Sequence, residues 1–230
     1  MLVSALILLT PTVSSAKPMK KTDVDYVSLG DSLAAGQTPY KEINLGYADF
    51  LKERMEKSQY EVDFTNFGVS GYTSEHLKND ILTKKTVRDE IKSADMITLD
   101  IGANDVLGAL KTSPLNVGVA ISSVAKNLSI ILATIDTLNP NIDVYVMGYY
   151  NPFPYLSIQE QEHLMPIMNK LNETIKAVST LNGDVFVSTE EVIGKNPTQY
   201  IPNPADIHLS LDGYEVIAKE FWKALDKSNK

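Results

Sequence analysis

Five short apolar, β-favouring runs, separated by stretches with helical spacing, limit most strongly how this 230-residue chain can fold. The first run holds Val24, Tyr26, Val27 and Leu29 and is stopped by Gly30. The second, Tyr60 to Phe67, alternates, with Tyr60, Val62, Phe64 and Asn66 on one face, and closes at Gly68-Val69-Ser70-Gly71. Met96 to Ile101, Ile142 to Tyr149 and Val185 to Val187 supply the other three. Between them, Tyr47, Phe50, Leu51 and Met55 fall at helical spacing, and Thr73 or Ser74 caps a helix through Leu82. A longer helix from about Leu115 to Leu138 is stopped by Asn139-Pro140-Asn141. Ser157 with Glu160 forms a capping box for a helix reaching Leu181. The last helix starts near Ser210 or Asp212 and carries a stripe of Tyr214, Ile217, Ala218, Phe221, Trp222 and Leu225. Strands joined through helices run parallel, and helices must then cover both faces of the sheet, so the class is α/β. No repeat, low-complexity tract or linker divides residues 17–230, which read as one domain.

Charge and composition narrow the partners. A formal charge of −8 and a pI near 4.9 exclude the basic face that a nucleic acid requires. With no cysteine there is no disulfide, no thiolate nucleophile, no Cys-ligated zinc and no lipidated N-terminal cysteine. Leu2 to Thr10 is apolar and Val13-Ser14-Ser15-Ala16 supplies small residues, so residues 1–16 are expected to be a signal peptide cleaved after Ala16. The run has no Lys or Arg before it, which is atypical. It is too short for a bilayer, which needs about twenty residues. The expected product is a secreted protein with no integral membrane span; the sequence leaves its oligomeric state open.

Chemistry-bearing residues recur just past the strand ends. Ser32 follows the first strand, Gly71 the second, Asn104 the third and His208 the fifth. In a parallel sheet these exits share one edge, where α/β proteins place their ligands. A serine becomes a nucleophile when a base takes its proton, and neutral histidine suits that near pH 7. The backbone N–H groups of Ser32 and Gly71 and the Asn104 amide can provide three donors to an oxyanion. Plainer readings stand beside these. Asp31 and Ser32 suit a turn, Asn104 and Asp105 suit a helix N-cap, and His208 can be structural. His76 and His163 fall in predicted helices as surface residues, as do the sequons at Asn127 and Asn172. Asp100 and Asp105 match no known ligand set, so no metal is expected. No strand is followed by a Gly-x-Gly-x-x-Gly or Walker loop, so no nucleotide or flavin cofactor is expected either.

Taken in order, Gly30-Asp31-Ser32-Leu33, Asn66-Phe67-Gly68-Val69-Ser70-Gly71, Gly102-Ala103-Asn104-Asp105 and His208 resemble the four blocks of the SGNH, or GDSL-type, hydrolases, as in secreted bacterial lipases and acylhydrolases. The resemblance spans nearly all of residues 17–230. It implies a flavodoxin-like three-layer α/β/α sandwich with a five-stranded parallel sheet in the order 2-1-3-4-5. It also implies a serine esterase that forms an acyl-enzyme on Ser32, with His208 as base and Ser32, Gly71 and Asn104 as the oxyanion hole. One departure stands out. The family places an aspartate three residues before the histidine, where this chain has Ala205, and Asp206 lies two before it. Leu209 replaces the proline or asparagine usual after the histidine. Asp206 is expected to orient His208; the alternative is a Ser32–His208 dyad with a backbone carbonyl holding the ring. The aromatic segment after the fourth strand should border the cleft, with Tyr150, Asn151 and Phe153 binding substrate. The expected substrate is a small ester or a lipid. The alternatives are an acetylated carbohydrate, which members of the family also deacetylate, and, less favoured, a non-catalytic binding protein of flavodoxin-like fold.

Overall fold

In the computed structural model, which describes residues 22–228, five strands are separated by one or more helices. In order, the elements are β1 (Thr22–Gly30), α1 (Tyr47–Lys57), β2 (Tyr60–Gly68), α2 (Ser74–Thr83), α3 (Lys85–Ser93), β3 (Met96–Asp100) and α4 (Ala103–Thr112). They continue with α5 (Val117–Leu138), β4 (Asp143–Gly148), α6 (Ile158–Asn182), β5 (Val185–Ser188), α7 (Glu190–Gly194), α8 (Pro197–Tyr200) and α9 (Leu211–Ser228). The five strands form one parallel sheet in the order β2-β1-β3-β4-β5, as expected. The expected signal peptide lies outside the described residues.

Helices cover both faces of the sheet, so β3 and nearly all of β4 are buried while the edge strand β2 stays partly exposed. On one face α1 packs against α9, and the Tyr47 and Phe221 rings stack 4.9 Å apart. On the other, α5 is flanked by α2, α4 and α6. Residues 114–138 are long and apolar enough to cross a membrane, with a mean hydropathy of 1.6. Val124, Leu128, Ile131, Leu132 and Ile135 of that segment are buried between its neighbours, which makes it a core helix. The central strand β3 is buried at every position, including Thr98 and Asp100. Thr98 Oγ1 is satisfied by the Tyr26 hydroxyl at 2.8 Å.

Besides the short α7 and α8, two helices lie beyond the periodicities in the sequence. α3 commits only Val87 and Ile91 to the core, one turn apart, and its other positions are mostly charged or polar. α4 opens where β3 ends, with Gly102 at φ +118°, and buries only Ala103 and Val106. Both are held by packing on neighbouring elements more than by their own patterns.

At the α6–β5 junction, Asn182 Nδ2 bridges Asp136 Oδ2 (2.8 Å) and Asp184 Oδ2 (3.0 Å). Burial, reinforced by the Asp136 charge and opposed by the Asn182 hydrogen bond, raises the Asp184 pKa to about 6. The folded state therefore holds this proton more tightly than the unfolded chain does. Its contribution to stability is complete below pH ~4 and is lost as pH rises through about 6. Asp184→Asn is expected to raise the melting temperature by about 2 °C at pH 7.5 and to leave it unchanged near pH 3.5. Thermal unfolding of both proteins at the two pH values checks this.

Candidate active site

β1 leaves the sheet beside the end of β3, with Gly30 paired to Asp100. The Asp31 N–H then donates to both the backbone carbonyl and the carboxylate Oδ2 of Asp100, each at 3.2 Å. Asp31 Oδ1 in turn accepts the Leu33 N–H (3.0 Å), which folds the chain into a tight Asp-type turn. Ser32 sits at its apex and is mostly buried. Its N–H makes no hydrogen bond among the described residues, although its neighbours' N–H groups do. A side chain at Gly30 would not fit, because a Cβ there would lie 2.5 Å from Asp100 Oδ1.

His208 reaches Ser32 from the segment between α8 and α9. The Asn203-Pro204-Ala205-Asp206 turn is closed by the Asp206 N–H on Asn203 O (3.1 Å) and the Ala205 N–H on Asn203 Oδ1 (3.0 Å). Asn203 Nδ2 also donates to Pro39 O (2.8 Å), and the Tyr150 hydroxyl donates to Ile207 O (2.8 Å). These bonds hold the ring where Nε2 lies 2.8 Å from Ser32 Oγ and Nδ1 lies 2.5 Å from Asp206 Oδ1. That same carboxylate oxygen accepts the His208 backbone N–H at 2.9 Å. A spacing of two thus lets one oxygen take the backbone and the ring of the same residue. Ala205 is exposed and apart from this arrangement. Leu209 is fully buried in the core, beside Gly213 of α9. Gln37 Nε2 lies 3.3 Å from Nδ1. With the Nδ1 hydrogen directed at Asp206, that amide nitrogen meets no lone pair and only walls the ring.

Asn104 stands in the first turn of α4, where Nδ2 donates to Tyr72 O (2.9 Å) and keeps a second hydrogen. Asp105 beside it accepts the N–H (2.8 Å) and hydroxyl (2.7 Å) of Ser74, and Asn127 Nδ2 donates to Ser74 Oγ (2.9 Å). The loop containing Gly71 is thereby tied to the start of α4. Gly71 itself is exposed at φ +81°, a conformation that favours glycine, and its N–H makes no hydrogen bond among the described residues. It does not line the cleft over Ser32.

That cleft is a narrow slot of about 20 Å³, walled by Leu33, Ala103, Leu107, Tyr149, Pro152 and Met168 beside Ser32, Asn104 and His208. Of the residues expected to bind substrate, Tyr150 lines it, while Asn151 and Phe153 lie outside. Asn151 is used locally, donating to Gln161 Oε1 (2.9 Å) and accepting the Phe153 N–H (2.8 Å). Phe153 turns to a separate groove with Pro154, Tyr155 and Pro204. His76 bonds to the cap residue Thr73 and tilts against the Tyr72 ring at 5.2 Å, His163 bonds to Gln159 O within α6, and neither lines the slot.

Several supporting residues had no signal in the sequence. Asn172 of α6 both accepts the Tyr149 N–H and donates to Tyr149 O, each at 2.7 Å, and so extends β4 past its last strand partner. The Tyr149 hydroxyl donates to Asp31 Oδ2 (2.8 Å), and the Tyr47 hydroxyl donates to Asp100 Oδ1 (2.6 Å). The asparagines of both sequons, Asn127 and Asn172, are therefore spent inside the fold.

The chain resembles known proteins over most of its length. The sequence profile described as the GDSL-like Lipase/Acylhydrolase family matches residues 28–216. The spore germination lipase LipC of Bacillus licheniformis is 27% identical over 212 residues, which cover 87% of this chain and 96% of LipC. The crystal structure of the lipase Lip_vut3 from a goat rumen metagenome aligns with a TM-score of 0.75 at 25% identity, covering 87% of this chain and 97% of that one. The acetylxylan esterase Axe2 of Geobacillus stearothermophilus shares the fold, with a TM-score of 0.68 at 17% identity over 89% of this chain and 95% of its own.

The close approach at Gly30 has a measurable consequence. In Gly30→Ala the new methyl must displace the Asp100 carboxyl or part β1 from β3. A loss of about 1–3 kcal/mol in unfolding free energy is expected, read from the urea midpoint. A midpoint equal to that of the unsubstituted protein would show that Asp100 has room to move.

Proposed function

Because the chain belongs to the GDSL-like lipase/acylhydrolase family and is an SGNH ester hydrolase, we propose that it cleaves carboxylic esters through an acyl-enzyme on Ser32. The observation that carries this reading is the unbroken hydrogen-bond chain from Ser32 Oγ through the His208 ring to Asp206 Oδ1. With Nδ1–H directed at Asp206, Nε2 presents its lone pair to the serine hydroxyl. His208 takes that proton as Oγ attacks the ester carbonyl, and Asp206 holds the ring and offsets the imidazolium charge. The proton then passes to the departing alcohol. Water, deprotonated by the same nitrogen, releases the acid in a second round.

The carbonyl oxygen becomes an oxyanion in both rounds. The free Ser32 N–H and the second Asn104 amide hydrogen are its donors, with the free Gly71 N–H as third. The loop that carries Gly71 is held beside the serine turn by the Val69 N–H on Gly30 O (3.1 Å) and joined to α4 by the Asp105–Ser74 bonds.

The slot's apolar walls suit the acyl group, and its small volume favours short chains. The same smallness favours a second reading, removal of acetyl groups from carbohydrate. The apolar run Leu2 to Thr10 and the small residues up to Ala16 support export, so we place the activity outside the cell.

The deciding experiment is hydrolysis of p-nitrophenyl esters from acetyl to palmitoyl, in parallel with acetylated xylan, by the unsubstituted protein and Ser32→Ala. Turnover is expected to fall with acyl length and to vanish in Ser32→Ala; a fully active Ser32→Ala protein would refute the assignment. Faster release of acetate from xylan than from the small esters would favour the carbohydrate reading.

Two further variants probe the separate roles. Asp206→Asn should fold normally and lose up to about 10⁴-fold in kcat; a loss of only a few-fold would mean that a Ser32–His208 dyad suffices. Asn104→Ala should lower kcat by on the order of 10²–10³ with little change in KM, circular dichroism confirming that α4 stays folded. A rise in KM with kcat unchanged would instead make Asn104 a ground-state binding residue.

A further inference from the structure

Beneath the Ser32 turn lie two carboxyl groups, Asp31 and Asp100, both almost wholly removed from water. Among the described residues neither is bonded to a lysine or arginine. The titratable groups that face the pair are Tyr47 from α1, Tyr26 of β1, Tyr149 and Tyr150 after β4, Tyr214 from α9, and His208 with Asp206 from the segment before α9. Burial pushes the hydroxyls of Tyr47, Tyr149, Tyr150 and Tyr214 well above their usual range, so they remain neutral donors. Two adjoining buried carboxylates without a cation cannot both ionise, because each opposes the other's charge in a medium that screens poorly.

The hydrogen bonds distinguish the two. Asp31 has one donor on each oxygen: the Leu33 N–H at 3.0 Å and the Tyr149 hydroxyl at 2.8 Å. Asp100 Oδ1 has the Tyr47 hydroxyl at 2.6 Å. Its Oδ2 has only a share, at 3.2 Å, of an Asp31 N–H that also points at the Asp100 backbone carbonyl. Asp31 is thus the better-solvated anion, and Asp100 Oδ2 is the oxygen short of a partner. We propose that Asp31 and Asp100 hold one proton between them, with Asp100 the neutral member, so that a single buried negative charge on Asp31 supports the imidazolium of His208. Burial and the Asp31 charge both raise the Asp100 pKa well above the carboxylate range. Burial also raises that of Asp31, against the opposing pull of its hydrogen bonds and of His208. Asp31 and Asp100 are then positioning residues that act through the Ser32–His208 pair, and this role rests on the serine-hydrolase reading above.

Asparagine separates the two roles, since it keeps the shape of a neutral aspartic acid and cannot ionise. The experiment measures kcat/KM against pH on p-nitrophenyl acetate for the unsubstituted protein, Asp31→Asn and Asp100→Asn. Urea unfolding of the same proteins at pH 5 and pH 8 accompanies it. Removing the Asp31 charge should make the imidazolium harder to form, moving the acid limb of the profile to lower pH by about one unit. Asp100→Asn should leave that limb in place. A group that keeps its proton only when folded stabilises fully below pH ~4 and loses that contribution as pH rises towards its folded value. The unfolding constant of the unsubstituted protein should therefore rise relative to Asp100→Asn by up to about tenfold per pH unit.

An acid limb displaced as far in Asp100→Asn as in Asp31→Asn, or displaced in neither, overturns the proposal. So does a stability gap between Asp100→Asn and the unsubstituted protein that is the same at pH 5 and pH 8. Should Asp31→Asn fail to fold, the Asp100→Asn limb and the stability gap still decide. The stability gap needs no turnover, so it tests the shared proton even if an active Ser32→Ala protein has refuted the serine-hydrolase reading.

Discussion

The pairing of β1 with β3 at Gly30 and Asp100 is the contact on which the rest of the site depends. A parallel ladder ordinarily stops where its strands stop. Here it continues one residue further, because the Asp31 N–H is captured by Asp100 through both carbonyl and carboxylate. That capture fixes where the chain leaves the sheet, and the Leu33 N–H on Asp31 Oδ1 fixes how sharply it turns. The Ser32 N–H and hydroxyl are what remain facing the slot. Glycine at position 30 is what allows the arrangement, since the space its side chain would occupy is filled by the Asp100 carboxyl.

The fold was legible in the sequence because parallel strands buried on both faces write themselves as near-continuous apolar runs, as in Val144 to Met147. The stripe of α9 was equally plain, and Tyr214, Ile217, Ala218 and Phe221 all lie in the core. α3 and α4 were not legible, because each offers only two residues to the core and little period can be read from two. What positions Ser32 was legible only in part. Asp31 and Ser32 announced a turn, but the clamp on that turn comes from Asp100, Tyr47 and Tyr149, each far away in sequence.

Asn151 and Phe153 show the opposite limit. Their place after β4 put them at the correct edge of the sheet, and topology ends there. Whether a residue on such a loop faces the slot depends on local hydrogen bonds. Asn151 caps its own turn on Phe153 and Gln161, and that choice sends Phe153 away from the slot while Pro152 turns into it. A one-residue change in direction along an irregular segment leaves no trace in composition or period.

The Asp206–His208 spacing shows how a departure from a family pattern can be reconciled with the geometry the chemistry needs. A separation of three positions between carboxylate and imidazole suits a turn that brings two side chains together from either end. A separation of two suits a tighter turn, in which one carboxylate oxygen takes the backbone N–H of the second residue along. Asp206 Oδ1 does this, and the ring of His208 then falls within 2.5 Å of the same oxygen without further adjustment. Leu209, next to the histidine in the chain, is fully buried against Gly213 at the start of α9, so the segment is pinned to the core on the C-terminal side of the ring while the Asp206 turn fixes it on the other.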